Sequence, residues 1–224
     1  MQFQKTSLQY LQELKENNNR EWFAETKTAY SQAQENAKDV YAAIRQNLEK
    51  HDAIADFKLF RIYRDVRFSK DKTPYQPHFA GSFSRLGNEL RGGYYLRIRP
   101  GESFLAGGFW EPNKEDLFRI RTEIAQDASE IKAILEDKDF LKYFGGKFES
   151  ISQLKTIPRG FNKEHPEANL LRKKGFIAVR NFTDQEVLSA NFLDEIDKSY
   201  KALRPFFDLF SDVLTTNLNG ESLL

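Results

Sequence analysis

The residues best suited to chemistry lie in one stretch, FRIYRDVRFSKDKTPYQPH, from Phe60 to His78. Arg61, Arg64, Arg67, Lys70, Lys72 and His78 stand there against only Asp65 and Asp71. Guanidinium groups at three-residue spacing beside a histidine suit the binding of a phosphate or carboxylate, with the imidazole as a proton donor or acceptor. On a regular strand Arg64 shares the parity of Phe60, Ile62, Val66 and Phe68, so it must meet a carboxylate, a ligand anion or water. Asp65 is placed to orient a neighbouring arginine. Pro74 and Pro77 stiffen the loop that presents Tyr75 and His78, which lowers the entropy cost of holding them. Gly81 just beyond permits a close backbone approach.

A second basic segment, KTIPRGFNKEHPE, carries Lys155, Arg159, Lys163 and His165. Nearby positive charge lowers a histidine's pKa and favours the neutral imidazole, the form that serves as base or ligand. The candidate ligand-binding residues are therefore Arg61, Arg64, Asp65, Arg67, Lys72, Arg97 and Arg159, and the candidate acid/base residues are His78, Tyr75 and His165. A bland reading competes: an Arg/Asp lattice that only stabilises a solvated sheet face. For His165, which precedes Pro166, a capping or packing role also competes. His51 closes a helix and reads as a partner for its dipole.

Other chemistries find no support. There are no cysteines, which excludes disulfides, thiolate nucleophiles and zinc–thiolate sites. No H-x-H or H-E-x-x-H pattern accompanies the histidines, so no metal is expected, and no cofactor is indicated. No P-loop or G-x-G-x-x-G stands in the chain, and the serines lack a nucleophile-elbow setting. GGYY and AGGFW read as strand glycines that admit bulky neighbours.

The formal net charge of +1 hides a separation. Residues 58–100 hold ten basic against three acidic residues and residues 155–180 seven against two, leaving seventeen against twenty-eight elsewhere. The basic segments fall on strands and loops, the acidic residues mostly on helices. A cationic surface at the sheet is expected, for a small anion or alternatively for nucleic acid or a protein, with exposed tyrosines as a stacking platform. No apolar run approaches the roughly 20 residues of a membrane span, and the start is too polar for a secretory signal, so a cytoplasmic protein without a membrane partner is expected.

The elements that must position these groups read as follows. Thr6-x-x-Gln9 is a capping-box pattern opening a short helix. Asn19 caps an amphipathic helix of roughly 30 residues with Phe23, Tyr30, Ala33, Ala37, Tyr41, Ile44 and Leu48 on one face. FRIYRDVRF alternates as a strand. YYLRIR and SFLAGGFW flank Arg99-Pro100-Gly101-Glu102, which suits a type II turn, and GFIAVRNF is a further strand. Asn113, Gly145-Gly146 and the Thr183-x-x-Glu186 box punctuate later helices, and Pro205 kinks or splits a helical tail from about Ser189 to Leu218. Twenty phenylalanines predict an aromatic core. These elements make an α+β fold: an antiparallel sheet flanked by helices, in one domain over residues 1–224.

Taken in order, NNNREWF, FRIYRDVRFSKDKTPY, GGYYLRIRPGESFLAGGFWEP, LKTIPRGFNKEHP with KKGF, and LRPFFDLF resemble the family catalogued as domain of unknown function 2461. The resemblance implies a single domain of bacterial type over nearly the whole chain. It transfers no reaction, cofactor or catalytic residue, so the arginines must be judged by their physics.

Overall fold

A computed structural model of the chain describes residues 1–217 and 219–224. Its sheet holds five antiparallel strands in the order β1 (Ile54–Leu59), β2 (Phe79–Arg85), β3 (Gly93–Ile98), β4 (Ser103–Phe109) and β5 (Phe176–Phe182), with helices flanking it. The fold is α+β. The chain divides into two compact units, Met1–Phe83 with Tyr95–Leu105 and Asn181–Lys198, and Ser84–Tyr94 with Ala106–Arg180 and Ser199–Leu224. The boundary falls within β2–β5. Among the described residues no helix is long and apolar enough to cross a membrane.

The first unit is built on α1 (Lys5–Glu16), α2 (Arg20–Glu25) and α3 (Lys27–Leu48). The predicted stripe is buried: Tyr30, Ala33, Ala37, Tyr41, Ile44 and Leu48, joined by Val40. Opposite it lie Phe79 and Phe83 of β2 and Leu96 and Ile98 of β3, all buried. Burying each such side chain stabilises by about 1.5–3 kcal/mol. Tyr41 stacks with Phe57 and Phe83, and its hydroxyl lies 2.9 Å from the Leu96 carbonyl and 3.2 Å from that of Phe79. It meets β2 at Gly81, where a Cβ would stand 2.8 Å from the tyrosine ring. The close approach expected at Gly81 is therefore made by a side chain.

The second unit has the aromatic core that the composition predicts. Phe148 packs on Phe140, Phe176, Phe206 and Phe210. Asn113 caps α4 (Lys114–Gln126) through the Glu115 and Asp116 amides. Gly145, at φ 66°, ends the helix Lys138–Phe144. In AGGFW the backbone of β5 lies where a Cβ on Gly108 would fall, 2.2 Å from the Phe176 carbonyl oxygen. Pro205 splits the tail into helices Phe192–Ala202 and Arg204–Thr215. Leu218, the expected end of that tail, lies outside the described residues.

Three expectations are corrected. The Thr6 box does not form: α1 starts at Lys5 after Gln4, because buried Asn36 accepts from the Gln4 amide and the Ser7 hydroxyl. The helix of roughly 30 residues is broken at Thr26, whose hydroxyl donates back to the Trp22 carbonyl at 2.9 Å, a local bond that competes with helix continuation. Asn19 does cap α2, accepting from the Trp22 amide.

The third correction concerns FRIYRDVRF, which is not a regular strand. Its pairing with the returning chain shrinks to the Tyr63–Tyr75 bridge, with Arg64 N–H on the Pro74 carbonyl and Gln76 N–H on that of Ile62. Pro74 and Pro77 lack the N–H groups that would extend the ladder. Ile62 is buried, but Phe68 is 95 % exposed. The strands flanking this segment are β1 and β2.

Candidate functional site

An open cleft of about 480 Å³ lies in the first unit, lined by side chains from the opening stretch together with Ala80 of β2 and Tyr95 of β3. Arg61, Tyr63, Arg64, Asp65 and Ser69 reach it from the outgoing arm, Gln76 and His78 from the returning one. The arms are anchored by Asn18, which accepts from the Tyr75 amide at 3.1 Å and donates to the Tyr75 carbonyl at 2.9 Å.

The three arginines, equivalent by spacing, do different work. Arg64 crosses the loop to the Asp71 carboxylate at 2.5 Å and to the carbonyl and hydroxyl of Thr73. It is a latch on residues 65–73. The amide and hydroxyl of Thr73, with Arg64 beside them, hold the Asp71 carboxyl down to about 2. Arg67 forks onto Asp65, with Nε 3.0 Å from Oδ1 and Nη2 2.6 Å from Oδ2. Asp65 is thereby held below the usual carboxylate range, by Arg67 first and by nearby Arg61 last. Lys72 folds back to donate to the Val66 carbonyl at 3.0 Å. Arg61 is exposed and makes no hydrogen bond or ion pair with the described residues. Of the two arginines that line the cleft it is the one left uncommitted among the described residues.

His78 stands just before β2, with Nδ1 buried and without a hydrogen-bond partner among the described residues. Burial, then Arg97 and Arg99, push its pKa from 6.5 down to about 4, with Glu102 opposing. Arg97 lies on the face of β3 opposite Leu96 and Ile98, a strand alternation that YYLRIR displays, and Arg99 follows just past the strand's end. Arg97 also lies over the Phe104 ring at 4.5 Å and donates to the Glu102 carbonyl, and Arg99 pairs with the Glu102 carboxylate at 3.3 Å. At neutral pH His78 is therefore an uncharged imidazole, able to accept a hydrogen bond and a weaker base than the free side chain.

The pH consequence has a definite sign. The folded pKa lies below the unfolded value, so between pH 6.5 and 4 the unfolded chain binds the extra proton. The stability contributed by neutral His78 is complete above 6.5 and is lost as pH falls toward 4. His78→Gln should flatten the fall of the thermal midpoint across that window relative to the native chain. Parallel curves would refute the assignment.

The remaining candidates are placed elsewhere. Tyr75 is buried, stacked on Phe23 at 4.1 Å, and burial raises its pKa, which suits a packing group. Arg159 is exposed in the second unit. His165, also there, accepts from the Glu167 amide through Nδ1, which leaves the proton on Nε2 to donate to the Ala125 carbonyl. That matches the packing alternative. His51 pairs with Asp197 at 3.0 Å, a partner that a helix-end reading does not foresee.

Phe60, Ser69 and Gln76 lie in the stretch that sequence reasoning marked but were not singled out within it, Tyr95 was expected only as a stacking tyrosine of the alternative reading, and Ala80 and the place of Arg99 beside His78 were missed. Arg99 left a signal, the shared parity with Arg97.

No curated protein and no solved structure matches the chain. The model of the family described as conserved hypothetical protein (DUF2461) matches residues 6–209, nearly the full length, and the chain belongs to that family.

Proposed function

We propose that the chain binds a small phosphate- or carboxylate-bearing ligand in the cleft between Arg61 and His78, and that neutral His78 exchanges a proton with it. The observation that carries this reading is the division among the arginines. Arg64 and Arg67 are satisfied by Asp71 and Asp65, whereas Arg61 lines the cleft with its guanidinium uncommitted. Ser69 and Gln76 add polar side chains to the same lining. Arg61 is exposed but stands at a cleft with hydrogen-bonding groups beside it, so an anion there meets a charge and fixed donors together. His78 then acts as base toward a ligand hydroxyl or water within hydrogen-bond reach.

Thermal unfolding against phosphate and carboxylate metabolites tests this at low and physiological salt. Saturable stabilisation by a compact anion is expected; at a hundred times Kd it amounts to about 2.7 kcal/mol. No shift with any anion at millimolar concentration would sink the proposal.

A second outcome follows from Asp65, the one carboxylate in the lining. Asp65→Asn removes its repulsion and frees the Arg67 fork. Anion affinity should rise by roughly two- to fivefold at low salt, and the gain should vanish near 1 M salt, where the screening length is about 3 Å. An unchanged affinity at low salt would mean that the anion sits away from Asp65.

A further inference from the structure

We infer that the ligand of this cleft carries a planar aromatic ring beside its anionic group. The inference rests on the anion reading and deepens it. Three aromatic side chains line the cleft: Phe60, 37 % exposed, Tyr63, 49 % exposed, and half-buried Tyr95. Phe60 and Tyr95 approach with ring centroids 6.5 Å apart and planes tilted by 34°. Between their strands runs β2, which places Ala80 beneath them; the Phe60 amide donates to the Ala80 carbonyl at 2.8 Å. At that spacing the two rings touch each other, and with the Ala80 methyl they make one apolar wall of the cleft on which a ligand ring can stack.

The cleft is also too large for a bare anion. An inorganic phosphate displaces only a few waters of about 30 Å³ each. The cleft measures about 480 Å³, within the roughly 300–1,000 Å³ usual for pockets that hold a whole organic ligand. Its polar groups suit a ligand with two ends. Arg61 meets charge, while the planar Gln76 amide offers both a donor and an acceptor to heteroatoms on a ring edge. Lys58 lies 5.9 Å from the Phe60 ring centre and adds positive potential to that wall.

Paired probes separate the ring from the charge. Calorimetric titration of the full chain would compare AMP with ribose 5-phosphate, and benzoate with acetate, at fixed ionic strength. In at least one pair the ring-bearing member should bind about tenfold or more tightly, in line with the stacking of one base on aromatic side chains. Phe60→Leu, which keeps apolar bulk and removes the ring, should cut that preference to below about threefold. Both members of each pair binding equally would overturn the ring and leave the anion site standing. Binding by none of the four would overturn both. A preference that survives Phe60→Leu intact would overturn the placement of the ring against this wall.

Discussion

Gly81→Val is expected to destabilise the chain by about 3 kcal/mol or more, beyond the usual 1–3 kcal/mol for an overpacked core site. The added Cβ would stand 2.8 and 2.9 Å from two carbons of the Tyr41 ring and 2.9 Å from the Lys58 carbonyl oxygen. Neither neighbour can yield. Lys58 belongs to the backbone of β1, paired with β2, and Tyr41 is fully buried against the stacked pair Phe57 and Phe83 with its hydroxyl against two strand carbonyls. Valine then adds two methyl groups to a position already closed to one. For a chain of this size the thermal midpoint should fall by roughly 6–12 °C. Because β2 follows His78 and carries Ala80, the same shift should impair ligand binding in whatever fraction stays folded. Tyr41→Leu in the Gly81→Val background should recover part of the loss by making room. A midpoint within 2 °C of the native chain would mean that β1, β2 and α3 do not approach this closely in solution.

Most local signals in the sequence found their elements, the Thr6 box being the exception; signals that needed a partner did less well. The Asn19, Asn113 and Thr183 caps, the αL Gly145 and the Pro205 break all act within one turn of the chain, and each is present. The Arg99–Glu102 turn is likewise local: Gly101 adopts φ 71° and the Glu102 amide closes onto the Arg99 carbonyl. By contrast FRIYRDVRF alternates without being a regular strand, because its opposing segment holds two prolines. The inference that Arg64 is the anomalous arginine fell with that strand. Among the described residues two arginines are buried, Arg121 and, more deeply, Arg85, whose side chain is 0 % exposed. Its guanidinium bonds to the Arg91 carbonyl, the Ser211 hydroxyl and Asp208, and lies over Phe207. Most of those partners are more than 120 positions away in sequence, so nothing near Arg85 announces its burial. The pKa of His78 was legible in sign but not in cause: burial acts first, and the cations acting on it are Arg97 of β3 and Arg99 just past its end.

Arg61→Ala is expected to weaken anion binding by roughly 10- to 150-fold, the range for losing a hydrogen bond to a charged group. The contrast with its neighbours gives the prediction its content. Arg64→Ala removes the latch to Asp71 and Thr73, so its first effect is a looser 65–73 loop and a lower midpoint, with any loss of binding secondary. Arg67→Ala leaves Asp65 without its bidentate partner at the cleft lining, so binding should weaken only a few fold, and less at high salt. Arg61→Lys keeps the charge and loses the planar fork, and should fall between alanine and the native residue. Calorimetric titrations of the four variants at two salt concentrations, beside thermal midpoints, would separate these effects. Arg61→Ala should leave the midpoint of the free protein nearly unchanged, since that guanidinium makes no hydrogen bond or ion pair with the described residues. Native affinity in Arg61→Ala, with the large loss appearing instead in Arg64→Ala, would move the anion from the outer guanidinium to the latch and make the loop itself the binding element.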